Sequence, residues 1–393
     1  MQQYLSKRVQ SLRPSGIRRY FDIAATMDDV ITLGIGEPDF VTPQHIMTAA
    51  IDSMHAGNTG YTSNAGDATL RATIANHIDR LYGLQYDPES EILVTVGVSE
   101  ALFLAMKTIL DPNDEVLVVE PCFVANAAAV EMAGGIPVMV QTSVENEFQV
   151  TGAELEAHIT DRTKAILISY PSNPTGAVLT PEHMKQVADV AEKHDLIVIS
   201  DEIYERLVYG IEHINFASLP NMRQRTIVLS GMSKAYAMTG WRIGYATAPE
   251  PILSAMKKIH QYLIMSAPTM GQMAAIQALR HGEEDVERMR QSYDERRRLL
   301  VDGLNQIGLD CFEPRGAFYT FPNIQRTGLT DSKFCELLIK EDRVAVIPGS
   351  AFGDSGTGFV RACYASSKDN IEQALERMAI FMQRHGLLAS VTA

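Results

Sequence analysis

The stretch SGMSKAYAMTGWRIG, Ser230 to Gly244, places one lysine, Lys234, among small and apolar residues, with Arg242 eight positions later. An apolar run typical of a strand stands on either side of it. The ordinary outcome for a lysine is a solvated, inert side chain. In a loop of this composition, burial and a nearby arginine would both lower the pKa of the amine. A neutral amine attacks carbonyls to form an imine, so Lys234 is a candidate nucleophile.

Outward from this stretch, short runs rich in valine and isoleucine alternate with longer helical patterns. Most of these runs are apolar on both faces, which predicts an α/β fold with a mainly parallel sheet covered by helices. The predicted strands are Ile92–Val96, Glu115–Val119, Ala165–Ser169, Leu196–Ser200, Thr226–Leu229 and Arg242–Ala246. Helices are predicted over Ser99–Leu110 and Pro181–His194.

The chain has 393 residues, more than one hydrophobic core usually serves, which favours two domains. From about Met289 a charged helix, several short strand-like runs and a closing helix from about Lys368 indicate a smaller α+β unit with an antiparallel sheet. We predict an N-terminal segment, residues 1–45, that joins the small domain or a partner subunit. A large domain, 46–285, and a small C-terminal domain, 286–393, follow it.

Charge and cysteine content exclude several classes of function. Lys and Arg number 34 against 48 Asp and Glu, and the net charge of −14 opposes binding to nucleic acid or to an anionic membrane. No apolar run approaches the ~20 residues of a membrane span, and no secretory signal pattern is present. The cysteines are scattered without metal-ligand spacing, which indicates reduced thiols, no metal site and a cytoplasmic protein. They are Cys122, Cys311, Cys335 and Cys363.

Polar groups follow four of the predicted strands, at the edge where open parallel sheets bind ligands. After the first strand, free backbone N–H groups at Val98 and Ser99 can bind a phosphate, although a helix start capped by serine without a ligand is as common. In PSNPTG, two prolines and a glycine fix the direction of Asn173, unless the segment is simply a loop. In DEIY, a buried Asp201 needs a cation or a donor unless it caps a helix, and Tyr204 is within reach of the same pocket.

Together these groups match one ligand, a flat aldehyde with a phosphate, a ring nitrogen and a phenolic oxygen. Pyridoxal 5′-phosphate needs a lysine for its aldehyde, an anion for its protonated ring nitrogen, donors for its phenolic oxygen and an anion site for its phosphate. The residues that supply these in turn are Lys234, Asp201, Asn173 with Tyr204, and Val98 and Ser99 with Arg242. No other common cofactor uses the whole set, so we predict pyridoxal 5′-phosphate.

The chain resembles the fold-type I pyridoxal-phosphate enzymes, in particular the class I and II aminotransferases of the aspartate aminotransferase superfamily. GMSKAYAMTGWRIG matches the lysine motif of that family, and PSNPTG and DEIY stand at family-like intervals before it. The similarity extends from LGIGEPDF to FVRACYASS, most of the chain. It implies amino-group transfer between an L-amino acid, such as aspartate or an aromatic one, and a 2-oxo acid such as 2-oxoglutarate. Lys234 would then move the proton, and Asp201 would keep the ring nitrogen protonated.

The resemblance implies further roles in the site. Arg361 in FVRACY matches an arginine that binds the substrate α-carboxylate, together with Gly36 and Asn173; without the family, pairing with a surface carboxylate would be favoured. Phe123 falls where an aromatic ring stacks on the cofactor, with a core phenylalanine as the alternative. Tyr61 in GYTSNAG resembles the tyrosine that reaches the phosphate of the neighbouring subunit, which implies a homodimer with shared active sites.

The sequence departs from the family pattern at two positions. Many relatives have a phosphate-binding serine three residues before the lysine, whereas this chain has Gly231 there, so Ser233 or Ser230 would take that role. Asn126 stands where relatives often have a tyrosine, which leaves the wall of the substrate pocket open.

Other functions remain compatible with the cofactor residues. A β-lyase, a decarboxylase or a cyclising elimination of the kind that makes aminocyclopropane carboxylate would use the same set. A non-catalytic ligand sensor of the same fold is disfavoured, since such regulators carry an added N-terminal DNA-binding segment and this chain is acidic. The amino donor and the 2-oxo acceptor are left open.

Overall fold

The structure, a computed structural model, describes residues 2–12 and 16–387, so the ends of the predicted first and last segments lie partly outside it. The strands are β1 (Ile31–Thr32), β2 (Ile92–Thr95), β3 (Glu115–Glu120), β4 (Ile136–Gln141), β5 (Thr163–Ser169), β6 (Ile197–Asp201), β7 (Thr226–Gly231), β8 (Gly244–Thr247), β9 (Tyr319–Thr320), β10 (Val344–Ala345), β11 (Ile347–Pro348) and β12 (Val360–Cys363). The α-helices are α1 (Lys7–Ser11), α2 (Gly16–Ala25), α3 (Gln44–His55), α4 (Ala68–Tyr82), α5 (Gly97–Ile109), α6 (Ala125–Ala133), α7 (Gly152–Glu156), α8 (Pro181–Lys193), α9 (Glu250–Leu263), α10 (Thr269–His281), α11 (Glu283–Gln306), α12 (Asp331–Asp342) and α13 (Lys368–Arg384).

The large sheet has the strand order β2-β8-β7-β6-β5-β3-β4. Neighbours from β7 to β4 run parallel, whereas β8 is antiparallel to both β7 and β2. The connection from β7 to β8 contains no helix, and a parallel return would need a longer crossover. The prediction of a mainly parallel sheet is confirmed, with one antiparallel strand directly after the lysine loop.

Alternate residues of the central strands pack on opposite faces of this sheet. In β3, Leu117 and Val119 belong to one buried cluster, and Val116 and Val118 belong to the other. Helix α8 covers the first face, and α5, α6 and α9 cover the second. Each fully buried aliphatic side chain contributes roughly 1.5–3 kcal/mol, so continuous apolar strands require helices on both sides.

Three details of the sequence-based assignment are wrong. Strand β4 was not predicted; it lies at the sheet edge, where the half-exposed pattern and Pro137 weaken the strand signal. Arg242 was placed inside a strand but lies in the turn before β8, with φ of +56°. Helix α5 begins at Gly97, two residues earlier than predicted, and this glycine adopts φ of +72° at the sharp turn out of β2.

The C-terminal part of the chain contributes a three-stranded antiparallel sheet in the order β11-β12-β9. The N-terminal part reaches it, because the N–H of Cys363 in β12 donates to Leu33 O at 2.7 Å. Beside it, β1 pairs in parallel with β10 in a separate two-stranded sheet. These contacts bring residues from both ends of the sequence to the edge of the large sheet. The exact domain boundaries remain a prediction.

Candidate active site

A cavity of about 340 Å³ opens where the carboxyl ends of the large sheet face the small one. Segments that follow β2, β3, β5, β6 and β7 line it, together with residues of β9 and β12. It brings together all but one of the predicted site residues. These are Gly36, Val98, Ser99, Phe123, Asn173, Asp201, Tyr204, Ser233, Lys234, Arg242 and Arg361.

Lys234 lies in this cavity with its amine largely removed from water. Nζ donates to the carbonyl oxygen of Gly36 at 2.7 Å and lies 5.6 Å from the ring centre of Tyr204. Burial, together with the positive charges of Arg361 and Arg242, lowers the pKa of Lys234 from 10.5 to about 8. About one amine in ten is then neutral at pH 7, against fewer than about one in a thousand for an unshifted lysine.

Asp201 ends β6 and lines the same cavity. Its Oδ1 accepts a hydrogen bond from the N–H of Ile203 at 3.2 Å, and a turn follows instead of the helix that a capping role requires. Burial raises the pKa of the carboxyl from 3.8 to about 6, while the Ile203 N–H and the charge of Lys234 oppose the shift. A carboxyl in this state is stabilised as an anion by any cationic donor that enters the cavity.

Arg361 on β12 is a buried cation, 2% exposed, without a carboxylate partner among the described residues. It donates to Asn173 Oδ1 at 2.8 Å and to Gly34 O at 2.6 Å, whereas its Nε has no partner. Pairing with a surface carboxylate, the alternative considered from sequence, is not observed. A buried guanidinium with a free donor provides a site for a planar anion such as a carboxylate.

Tyr319 on β9 is a site residue that sequence reasoning missed. Its hydroxyl lies 2.9 Å from that of Tyr204, and its ring centre is 4.5 Å from the guanidinium carbon of Arg361. A Cβ at Gly36 would approach the Tyr319 oxygen to 2.4 Å, so the glycine is required by this contact. In the sequence this tyrosine stands in the run GAFYTF, and nothing in that run indicates which segment of the chain it will contact.

The first turn of α5 and Arg242 form the end of the cavity suited to a phosphate. Val98 and Ser99 line it, and the first N–H groups of a helix have no partner within the helix. The Arg242 guanidinium donates to Thr239 O at 3.1 Å and lies so close to Gly97 that a Cβ there would be 2.4 Å from it. Like Arg361, Arg242 has no carboxylate within ion-pair distance in the described chain.

The structure explains the glycine at the family's serine position. A Cβ on Gly231 would lie 2.8 Å from the Cα of Gly244, so β7 and β8 approach too closely here for a side chain. Of the two substitutes, Ser230 is buried and donates to Glu205 Oε1 at 2.9 Å, away from the cavity. Only Ser233 lines it, which leaves Ser233 as the serine available to an anion.

The positions of Phe123, Asn126 and Tyr61 relative to the cavity decide which of their predicted roles this chain allows. Phe123 is 38% exposed and lines the cavity, so it is not a core phenylalanine. Asn126 is buried and donates to Ser169 Oγ at 3.0 Å, and Ala125 lines the cavity beside it. Tyr61 is 83% exposed and does not line the cavity of its own chain, so its role at a second subunit stays a prediction.

Other lining residues come from segments that no motif indicated. Ile17 from α2, Glu37 and Thr239 contribute to the cavity wall. Their positions depend on how the N-terminal segment and the lysine loop fold over the sheet, which local sequence patterns do not encode. The residues at the strand ends were therefore predicted to share this cavity, and the remaining wall was largely missed.

Behind the cavity lies a buried network that the sequence did not indicate. His213 Nε2 and Glu202 Oε2 are 2.7 Å apart, and Tyr82 and Ser230 donate to the two oxygens of Glu205. Burial raises the pKa of Glu205, whereas at His213 the two carboxylates outweigh burial and raise the pKa of the imidazole. Their ligand atoms lie within 4.8 Å of one another, but protein hydrogen bonds already occupy them.

Comparison with known proteins identifies the family. The sequence profile described as aminotransferase class I and II matches residues 28–378. The chain is 50% identical over 98% of its length to a putative aminotransferase, YugH, of Bacillus subtilis, which it covers completely. It is 46% identical to an aspartate aminotransferase of Pyrococcus abyssi, covering 95% of this chain and 97% of that protein.

A solved structure gives the same result for the fold. The aromatic aminotransferase from Pyrococcus horikoshii matches with a TM-score of 0.90 and 44% identity, covering 95% of this chain and all of that one. The predicted fold-type I architecture and aminotransferase function are confirmed. In the described residues, no helix has the length and apolar character needed to cross a membrane. The chain belongs to the class I and II aminotransferase family.

Proposed function

We propose that this aminotransferase binds pyridoxal 5′-phosphate in the cavity and transfers an amino group between an L-amino acid and a 2-oxo acid. The observation that carries the proposal is the set of cations in the cavity. Lys234, Arg242 and Arg361 all line it, and in the described chain none of them has a carboxylate within ion-pair distance. A lysine with a lowered pKa beside two unpaired arginines fits an aldehyde that carries a phosphate, followed by a carboxylate substrate.

The residues present fit the cofactor group by group. Asp201, whose carboxyl pKa is raised to about 6, gains a partner in a protonated ring nitrogen. Tyr204 can donate its hydroxyl proton to the phenolic oxygen. Asn173 accepts from Arg361 with Oδ1, which leaves its amide N–H groups for the same oxygen. The residues suited to the phosphate are Val98, Ser99, Ser233 and Arg242.

The chain's own groups account for proton transfer and substrate orientation. When bound, the cofactor supplies a conjugated ring that accepts the electron pair left on the substrate α-carbon. Lys234 Nζ would take up the α-proton and pass it to the carbon that was the cofactor's aldehyde, a role for which a pKa near 8 is suited. Arg361 holds the α-carboxylate through its free Nε and the remaining N–H groups of its guanidinium, while Asn173 and Gly34 keep the guanidinium in place.

The substrate assignment rests on the relatives. Named relatives act on aspartate and on aromatic amino acids, and we propose a donor of one of these classes with an acceptor such as 2-oxoglutarate. The test combines the loaded protein with a panel of amino acids and 2-oxoglutarate, with product analysis. The proposal expects glutamate and the donor's 2-oxo acid in equal amounts. Ammonia with pyruvate, an amine with carbon dioxide, or a cyclised amino acid would instead identify a lyase, a decarboxylase or a cyclising enzyme.

We also propose a homodimer in which Tyr61 reaches the cofactor phosphate of the other subunit. The tyrosine side chain is exposed, and its segment is joined to a neighbouring one by a hydrogen bond from Asn64 Nδ2 to Met265 O at 2.7 Å. That neighbouring segment exposes Tyr262 and Leu263, an apolar patch suited to an interface. Light scattering measures whether the protein is a dimer. Tyr61→Phe should weaken the binding of the cofactor, and the variant should remain a dimer. The cytoplasmic location stays a prediction.

A further inference from the structure

A buried carboxylate–imidazole pair fastens the first turn of α5 to α9. Glu100 Oε1 accepts from Nδ1 of His260 at 2.7 Å. His260 is wholly buried, and Glu100 is buried with it. Neither side chain lines the cavity. The pair therefore joins a helix that lies on the sheet face to the helix whose first turn lines the phosphate end of the cavity.

The second oxygen of Glu100 fixes the turn that leads into that helix. Glu100 Oε2 accepts from the N–H of Val96 at 2.6 Å, and Thr95 Oγ1 donates to Gly97 O at 3.0 Å. The first bond fixes the Thr95–Val96 peptide, and the second fixes the Gly97–Val98 peptide. Gly97, which lies between them, has φ of +72°. The orientation of the N–H groups of Val98 and Ser99 depends on these two peptides, because one leads into the turn and the other contains the Val98 N–H.

The imidazole of His260 forms its hydrogen bond to Glu100 through Nδ1. His260 Nε2 has no partner among the described residues, although it is shielded from solvent. Burying an imidazole with one nitrogen unpaired costs free energy that an apolar residue would not. The Nδ1 contact accounts for a histidine here, because it keeps the Glu100 carboxylate at the start of α5.

We propose that Glu100 and His260 are positioning residues for the cofactor phosphate. They act by holding the Thr95–Val96 peptide at the start of the turn, so that the N–H groups of Val98 and Ser99, which follow the turn, point into the cavity. This inference rests on the proposed function, since it assumes that pyridoxal 5′-phosphate binds there. It assigns the pair no contact with the cofactor ring or with the substrate.

Comparison of two ligands tests the inference by binding alone. Pyridoxal has the ring and the aldehyde of pyridoxal 5′-phosphate but lacks the phosphate. Equilibrium dialysis of cofactor-free wild type, Glu100→Leu and His260→Leu gives a dissociation constant for each ligand. Both variants should bind pyridoxal 5′-phosphate at least about tenfold more weakly, with pyridoxal changed less than about threefold. A general disturbance of the fold would raise the dissociation constants of both ligands by the same factor.

Conservative variants and a control complete the experiment. Asparagine presents an N–H donor near the position of Nδ1, so His260→Asn should recover most of the lost affinity. Glu100→Gln offers one acceptor oxygen for two donors, so its affinity for pyridoxal 5′-phosphate should lie between those of wild type and Glu100→Leu. If Glu100→Leu does not fold, Glu100→Gln still tests the inference. His194→Leu removes a similar pair, in which His194 Nε2 and Glu156 are 3.0 Å apart, and should change neither constant.

Equal losses for both ligands, or no loss for either, would overturn the inference. Failure of the proposed function is a different result. It would appear as a wild-type protein that binds pyridoxal 5′-phosphate no better than Lys234→Ala does, whatever the state of Glu100.

Discussion

Replacing Lys234 by methionine should stabilise the cofactor-free protein at neutral pH. Burial lowers the pKa of this lysine from 10.5 to about 8, so its charge destabilises the fold. The shift of about 2.5 units corresponds to roughly 3.4 kcal/mol at 1.36 kcal/mol per unit. Methionine removes this cost but also the hydrogen bond to Gly36, worth about 1 kcal/mol. The variant should therefore be more stable by about 2 kcal/mol at pH 7.

The sign of the pH dependence follows from the same shift. Below pH 8 the lysine is protonated in both the folded and the unfolded state, and the full cost is present. Between pH 8 and 10.5 the folded state releases the proton first, so the wild type recovers stability as pH rises. By pH 9.5 about 2 kcal/mol of the cost is gone, and the advantage of methionine should nearly vanish.

Denaturant unfolding of both proteins at pH 7 and pH 9.5, at one protein concentration, measures the difference. Lys258→Met, which changes an exposed lysine of α9, is the matched control and should show no such pH-dependent gain. A Lys234→Met protein that is no more stable at pH 7, or whose advantage is the same at both pH values, would refute a buried, destabilising amine.

Three further predictions concern the carboxyl, the arginine and the glycine of the site. Because the Asp201 carboxyl has a pKa of about 6 and must be ionised to pair with a cationic ring nitrogen, cofactor affinity should fall up to about tenfold per unit below pH 6. Dialysis across pH 5–7 should show that extra fall in wild type and not in Asp201→Asn. Arg361→Lys should raise KM for amino donors by roughly 10- to 100-fold, since charged hydrogen bonds of about 1.5–3 kcal/mol are lost; an unchanged KM in steady-state assays would exclude a carboxylate contact. Gly231→Ser should lower the free energy of unfolding by about 1–3 kcal/mol in denaturant titrations, because its Cβ would lie 2.8 Å from Gly244 Cα.

The residues that sequence reasoning could place are those tied to strand ends. Asn173, Asp201 and Lys234 each follow a continuous apolar run, and the carboxyl ends of parallel strands meet at one edge of a sheet. Their convergence therefore follows from the fold class. Arg361 needed the family resemblance, because a single arginine in a strand has no signal that separates a ligand contact from a surface pair.

Residues whose placement depends on long-range packing were out of reach. Tyr319 lies 115 positions from Tyr204, and its hydroxyl contact follows from how the small sheet sits over the large one. Ile17 enters the cavity from a helix before β1. Strand β4 was missed for a local reason, since an edge strand with a proline and mostly half-buried residues gives a weak period-2 pattern. The glycine in place of serine at position 231 is explained only by the close approach of β7 and β8 in the fold.

The four residues from Leu33 to Gly36 contact two cations of the cavity, Arg361 and Lys234, whose positive charges repel each other. Gly34 supplies the carbonyl that holds Arg361, and Gly36 supplies the one that holds Lys234. These contacts use backbone atoms, so the segment is sensitive to changes of length, and at Gly36 also to an added side chain, whose Cβ would lie 2.4 Å from the Tyr319 oxygen. Anyone transplanting substrate-contacting loops from a relative onto this scaffold should keep the spacing between β1 and this segment intact. A one-residue deletion there would shift both carbonyls out of register with the two cations.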